Sequence, residues 1–160
     1  MISKPRAVAL AVLLASTLGH AGASLSATSH DHGHDEGAQA LQLDAGKRWT
    51  TDAPLRQAMG TINDNIRRAL PAIHENRLPA AQYGELAEVV RGQVAYMIEN
   101  CKLSAEADAQ LHLIIAQMLA SADAMNSTQG GQRDGAVGVV GALGDYATYF
   151  ADDTFKPIEH

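Results

Sequence analysis

The chain has 160 residues, of which 46% are apolar and only 4% aromatic, and its formal net charge is −6. That is enough apolar material for one domain with a single aliphatic core. The acidic balance argues against nucleic acid or an anionic membrane surface as the main partner.

Residues 1–23 have the three parts of a secretory signal: Lys4 and Arg6 at the start, an apolar run from Ala7 to Leu14, and small residues Ala21-Gly22-Ala23 at a cleavage site. A membrane anchor needs roughly 20 apolar residues, whereas this run is short and is followed by Ser16, Thr17 and His20. Export to a periplasm or the medium is therefore expected, with no membrane span after cleavage. The exported chain would carry a charge of about −8, because the leader holds two cations and no acid.

Residues 24–48 are small and polar without helical periodicity, and read as a flexible tail. Within it lies His30-Asp31-His32-Gly33-His34-Asp35-Glu36. Imidazoles at i, i+2 and i+4 on a pliant segment can converge on one divalent ion, with Asp31, Asp35 or Glu36 adding a carboxylate. Such a set suits copper, zinc or nickel. The alternative is a solvated linker whose histidines meet metal only incidentally.

From Trp49 to His160 the pattern is helical. Trp49 is expected to pack on the bundle end. Thr51 or Asp52 can cap the first helix, with Pro54 in its first turn. Leu55, Met59, Ile62, Ile66, Ala69 and Ile73 form its stripe, with a kink expected near Pro71. His74, just beyond, reads as a surface histidine. A second helix follows Leu78-Pro79 with Tyr83, Leu86, Val90, Val94, Met97 and Cys101 on one face. Ser104 can cap a third, whose stripe is Leu111, Ile115, Met118, Ala122 and Met125. These two stripes on either side of a tight break predict a helical hairpin. After a loop from Asn126 to Gln132, a fourth helix is expected over residues 133–152, with Val137, Val140, Leu143, Ala147 and Phe150 inward. Gly135, Gly138, Gly141 and Gly144 weaken it by about 1 kcal/mol each relative to alanine, and their spacing suggests close approach to neighbours. The fold class is thus all-α, an antiparallel up-down-up-down four-helix bundle behind a flexible tail.

Cys101, His112 and Met97, with the other methionines, invite an internal copper site, since thiolate, imidazole and thioether together suit that metal. Hairpin geometry opposes it: with a fold near Leu103, Cys101 and His112 fall about 9 Å apart along the axis. Stripe methionines are more often core filler. The default for Cys101 is a small buried residue, with an intermolecular disulfide open to it if exposed. The default for His112 is a hydrogen bond to a tyrosine hydroxyl, in a cluster with Met59, Tyr96, Tyr146 and Tyr149.

No Cys-x-x-Cys-His is present, so covalent haem attachment is excluded despite a shape similar to cytochrome c′. There is no Glu-x-x-His pair for a di-iron site, and no nucleophile with a base and an orienting acid. A non-enzymatic role is expected.

At Trp49-Thr50-Thr51-Asp52-Ala53-Pro54-Leu55-Arg56, Gln93-Val94-Ala95-Tyr96, Asn100-Cys101-Lys102-Leu103 and Glu106-Ala107-Asp108-Ala109-Gln110-Leu111-His112, the chain resembles a family of small exported bacterial proteins known as DnrO-like. The resemblance covers most of the body and is most specific from Asn100 to His112. It implies export, an all-helical body and often a His-rich stretch before the tryptophan; the label points towards nitrogen-oxide respiration. The glycines of the fourth helix depart from that pattern.

The expected function is transition-metal capture by the tail on a helical carrier. The alternatives are a structural or interaction bundle, perhaps a homodimer through Cys101 or a helical face, and a non-covalent binder of haem or another small ligand.

Overall fold

The computed structural model describes residues 40–159. Residues 1–39, and with them the expected leader and His30, Asp31, His32, His34, Asp35 and Glu36, lie outside the described residues. Four helices make up most of the body: α1, Ala53–His74; α2, Ala80–Asn100; α3, Ala105–Met125; and α4, Gln132–Tyr149. The described residues form an all-α four-helix bundle.

Each helix starts where local chemistry provides a start. Asp52 is extended, and its side chain accepts from the Leu55 N–H at 2.9 Å, while proline occupies the first turn of α1. Pro79 precedes α2, and Ser104 Oγ accepts from Ala107 N at 3.2 Å at the start of α3. Glu106 and Asp108 add negative charge to the first turn of α3, where the helix dipole favours it. Gly130 and Gly131, at φ +96° and +87°, form the turn into α4. Helix α1 runs on through Pro71 to His74, which is exposed.

The buried stripes close on one another. Leu55, Met59, Ile62 and Ile66 from α1 meet Val90, Val94 and Met97 from α2, Leu111, Ile114 and Met118 from α3, and Val139, Leu143 and Tyr146 from α4 in one apolar cluster. Arg91 of α2 bonds Asp123 near the end of α3, whereas Met97 and Cys101 share a cavity wall with Asp108 and Leu111 near its start. Along that contact the two helices run in opposite senses, as a hairpin requires.

Helix α4 departs from expectation in two ways. First, its inward face is Ala136, Val139, Val140, Leu143 and Tyr146, while Val137 is 49% exposed and Ala147 only half-buried. The glycines explain the shift. A Cβ on Gly135 would lie 2.6 Å from the Ser121 carbonyl, and one on Gly138 would lie 2.4 Å from Ser121 Oγ, so these glycines face α3 and set the rotation of the helix. Second, α4 ends at Tyr149, not Asp152. Phe150–Ala151 is a short strand, β2, parallel to β1 at Trp49–Thr50, with Trp49 opposite Phe150.

Residues before Trp49 also touch the helical body. Leu41 packs against the core, Gln42 N donates to Gln110 Oε1 at 2.8 Å, and Trp49 Nε1 donates to the Gln42 carbonyl at 2.7 Å. Beyond β2 the chain turns back across α1, and the Phe155 ring meets Tyr146 edge-on at 4.9 Å.

Candidate functional site

Two places gather polar chemistry. The first is the end of the bundle where α1 begins and α2 stops. Asp52, besides capping α1, accepts from Lys102 N at 2.6 Å through Oδ2. One carboxylate therefore joins the start of one helix to the exit of the next. Cys101 sits beside it as the C-terminal cap of α2, its N–H on the Met97 carbonyl at 2.9 Å.

Met97, Cys101 and His112 line a single cavity of about 240 Å³ with Ile98, Asp108, Leu111 and Ile115. The structure thus draws Cys101 and His112 to one cavity, although helix rise alone sets them apart along the axis. Their chemistry differs, however. Met97 is buried, Cys101 half-buried, and the His112 side chain 60% exposed. Burial, then the charge and hydrogen bonding of Asp52, then Asp108, push the Cys101 thiol up to about 12. It stays protonated at neutral pH, the opposite of what a nucleophile or a thiolate ligand needs. Among the described residues there is no group of three or more His, Cys, Asp and Glu that could hold a metal ion.

His112 does not join the tyrosines. Its Nδ1 lies 2.9 Å from the Asp108 carbonyl, one helical turn back, and 3.4 Å from Asp108 Oδ2, while Tyr146 and Met59 are fully buried in the core. The Tyr146 hydroxyl donates instead to Asp152 Oδ2 at 2.9 Å. Burial alone would raise the Asp152 carboxyl, but the hydrogen bonds from Thr154, Tyr146 and the Phe155 backbone outweigh it and hold it below the usual carboxylate range. Burial foremost, then Asp152, pushes the Tyr146 phenol well above its ordinary value.

The second place is an open cleft of about 340 Å³ between α1 and the C-terminal segment. Arg56, Gly60, Asn63, Asp64 and Arg67 line it from α1, and Asp152, Thr154, Phe155 and Lys156 from the segment. Asn63 Nδ2 and Arg67 Nη2 both donate to the Lys156 carbonyl, at 3.1 and 2.5 Å, and so fix the segment on the helix. Asn63 is 5% exposed, and its Oδ1 is, among the described residues, the buried side-chain polar atom without a hydrogen-bond partner. A sequence signal for this site exists in hindsight: Asn63 stands four residues after Met59 and three before Ile66, a polar residue on the inward face.

No helix among the described residues is long and apolar enough to cross a membrane. Comparison of the chain with family models, curated proteins and solved structures finds no match.

Proposed function

We propose that this chain is an exported, non-enzymatic carrier whose tail captures copper, zinc or nickel through His30, His32 and His34, with Asp31, Asp35 and Glu36 as supplementary oxygen donors. The observation that carries the reading is the alternation of three imidazoles with acids in residues 30–36. Neutral imidazole is a good ligand for all three ions, and three imidazoles at alternate positions, with acids between and after them, offer one ion several donors. The resemblance to DnrO-like proteins points the same way, through the His-rich stretch before the tryptophan. The protonated Cys101 thiol is a poor competitor for the metal.

The test is calorimetric titration of the full chain without its leader with copper(II), zinc and nickel, beside a variant with all three histidines changed to alanine. Affinity tighter than about 1 μM that disappears in the variant supports the reading. Equal binding by both proteins, or by neither, removes it.

A second reading, an interaction bundle, is favoured by one observation: Ile98 is 64% exposed beside the half-buried free thiol of Cys101. Light scattering and non-reducing gels on wild type and Cys101→Ala decide it. A monomer in both cases disposes of a dimer.

A further inference from the structure

We propose that the cavity between the end of α1 and the start of α4 binds a small monocarboxylate with a compact apolar body, the size of an aromatic acid. The inference does not depend on metal capture by the tail. Close approach to α3 at Gly135 and Gly138 fixes the rotation of α4. The other flank of α4, Ala136, Val137 and Val140, then faces Leu70 and Ile73 of α1 across an opening of about 140 Å³. Ile73 and Ala136 are buried, whereas Val137 is exposed at the mouth. An aliphatic cavity of roughly 150 Å³ stays dry and takes up a benzene ring. This opening has similar walls and room for a body of about six carbons, and covering Val137 with apolar atoms is favourable.

The rim selects the head group. The polar residues that line the cavity are Arg133 and His74, and no acidic side chain joins them among the described residues. Arg133 Nε donates to the Ile73 carbonyl at 3.4 Å, which sets the guanidinium on the α1 side of the mouth. The ion pairs among the described residues leave Arg133 out, so its other N–H groups have no carboxylate of this chain to meet. A guanidinium fork of this kind matches the two oxygens of a carboxylate. The net charge of −6 repels a dianion more than a monoanion, which favours a carboxylate over a phosphate ester.

The experiment is an NMR titration of the full chain with benzoate, benzamide and acetate. Benzamide keeps the ring without the charge, and acetate keeps the charge without the ring. Benzoate is expected to shift the amide signals of Ile73, Arg133 and Val137 with a Kd of about 1 mM or tighter, at least about tenfold tighter than either control. Arg133 and Val137 are exposed, so both can be changed without disturbing the core, and the amide spectrum of each variant reports its fold. Arg133→Gln should bring benzoate to the affinity of benzamide. Val137→Glu sets a carboxylate in the mouth and should abolish benzoate binding. The inference is overturned if benzoate leaves those signals unmoved up to about 10 mM, or if benzamide or acetate binds as well as benzoate does. Benzoate binding that survives either substitution unchanged overturns it too.

Discussion

The Tyr146 hydroxyl, in the last turn of α4, donates to Oδ2 of Asp152 at 2.9 Å, with both side chains buried. This bond fastens the end of the helical body to the segment that crosses α1. Tyr146→Phe removes a hydrogen bond to a charged acceptor and should cost about 1.5–3 kcal/mol in urea unfolding near neutral pH.

The same pair sets an acid limit. The folded Asp152 carboxyl is held below its ordinary value, so its contribution is in place above the unfolded value of about 3.9 and is lost as pH falls through the folded value. Tyr146→Phe brings the folded carboxyl closer to the ordinary range. Between about pH 4 and pH 2 the variant should therefore lose less stability than wild type, read from urea midpoints at each pH.

Cys101 should be slow to alkylate. With its thiol pushed up to about 12, the thiolate fraction near pH 8 is smaller than that of a free cysteine by more than about a hundredfold, and iodoacetamide should react correspondingly slowly. Asp52→Asn keeps an oxygen able to cap α1 but removes the charge beside the sulfur, so it should speed the reaction. An unchanged rate in that variant would show that Asp52 does not govern the thiol.

The glycines of α4 should divide by position. Gly135→Ala forces a methyl against the Ser121 carbonyl at 2.6 Å and Met125 N at 2.7 Å, and should cost about 3 kcal/mol or more despite the gain in helix propensity. Gly144→Ala meets nothing within 4 Å and should stabilise by up to about 1 kcal/mol. Thermal melts of the two variants moving in the same direction would contradict this division.

The two caps should differ as well. Ser104→Ala removes one accepted bond and should cost about 1 kcal/mol. Asp52→Ala removes two, from Leu55 N and Lys102 N, and should cost about twice that in urea unfolding.

The features legible in the sequence are those with local causes. The stripes of α1, α2 and α3 follow from apolar spacing, and Asp52 and Ser104 mark starts because their side chains reach N–H groups three residues on. The rotation of α4 was not legible, because its glycines carry no hydropathy signal and it is their closeness to Ser121 that fixes the face. Nor was its end at Tyr149: no breaker follows, and Phe150 leaves the helix to pair with Trp49, roughly a hundred residues away. The tyrosine partner expected for His112 is replaced by a carbonyl one turn back on its own helix, which lies within hydrogen-bond distance of its ring nitrogen. Cys101 reads in the sequence as a buried stripe residue, and burial is the largest cause of its raised thiol; the further push from Asp52, 49 residues upstream, is the part that spacing cannot supply. The cleft at Asn63 depends on a carbonyl of the C-terminal segment, a partner that periodicity cannot supply.

The parallel pairing of Trp49–Thr50 with Phe150–Ala151 sets the entry and exit of the helical body side by side. As far as the backbone is concerned the body is nearly a ring, and adjacent ends of this kind tolerate rearranged connectivity. Because the two strands are parallel, a linker between them must reverse direction over about a dozen residues or more. A circular permutant that joins the segment after β2 to the segment before β1 in this way and opens the chain at Gly130, on the exposed turn before α4, would keep the contacts among the four helices while changing the order of synthesis.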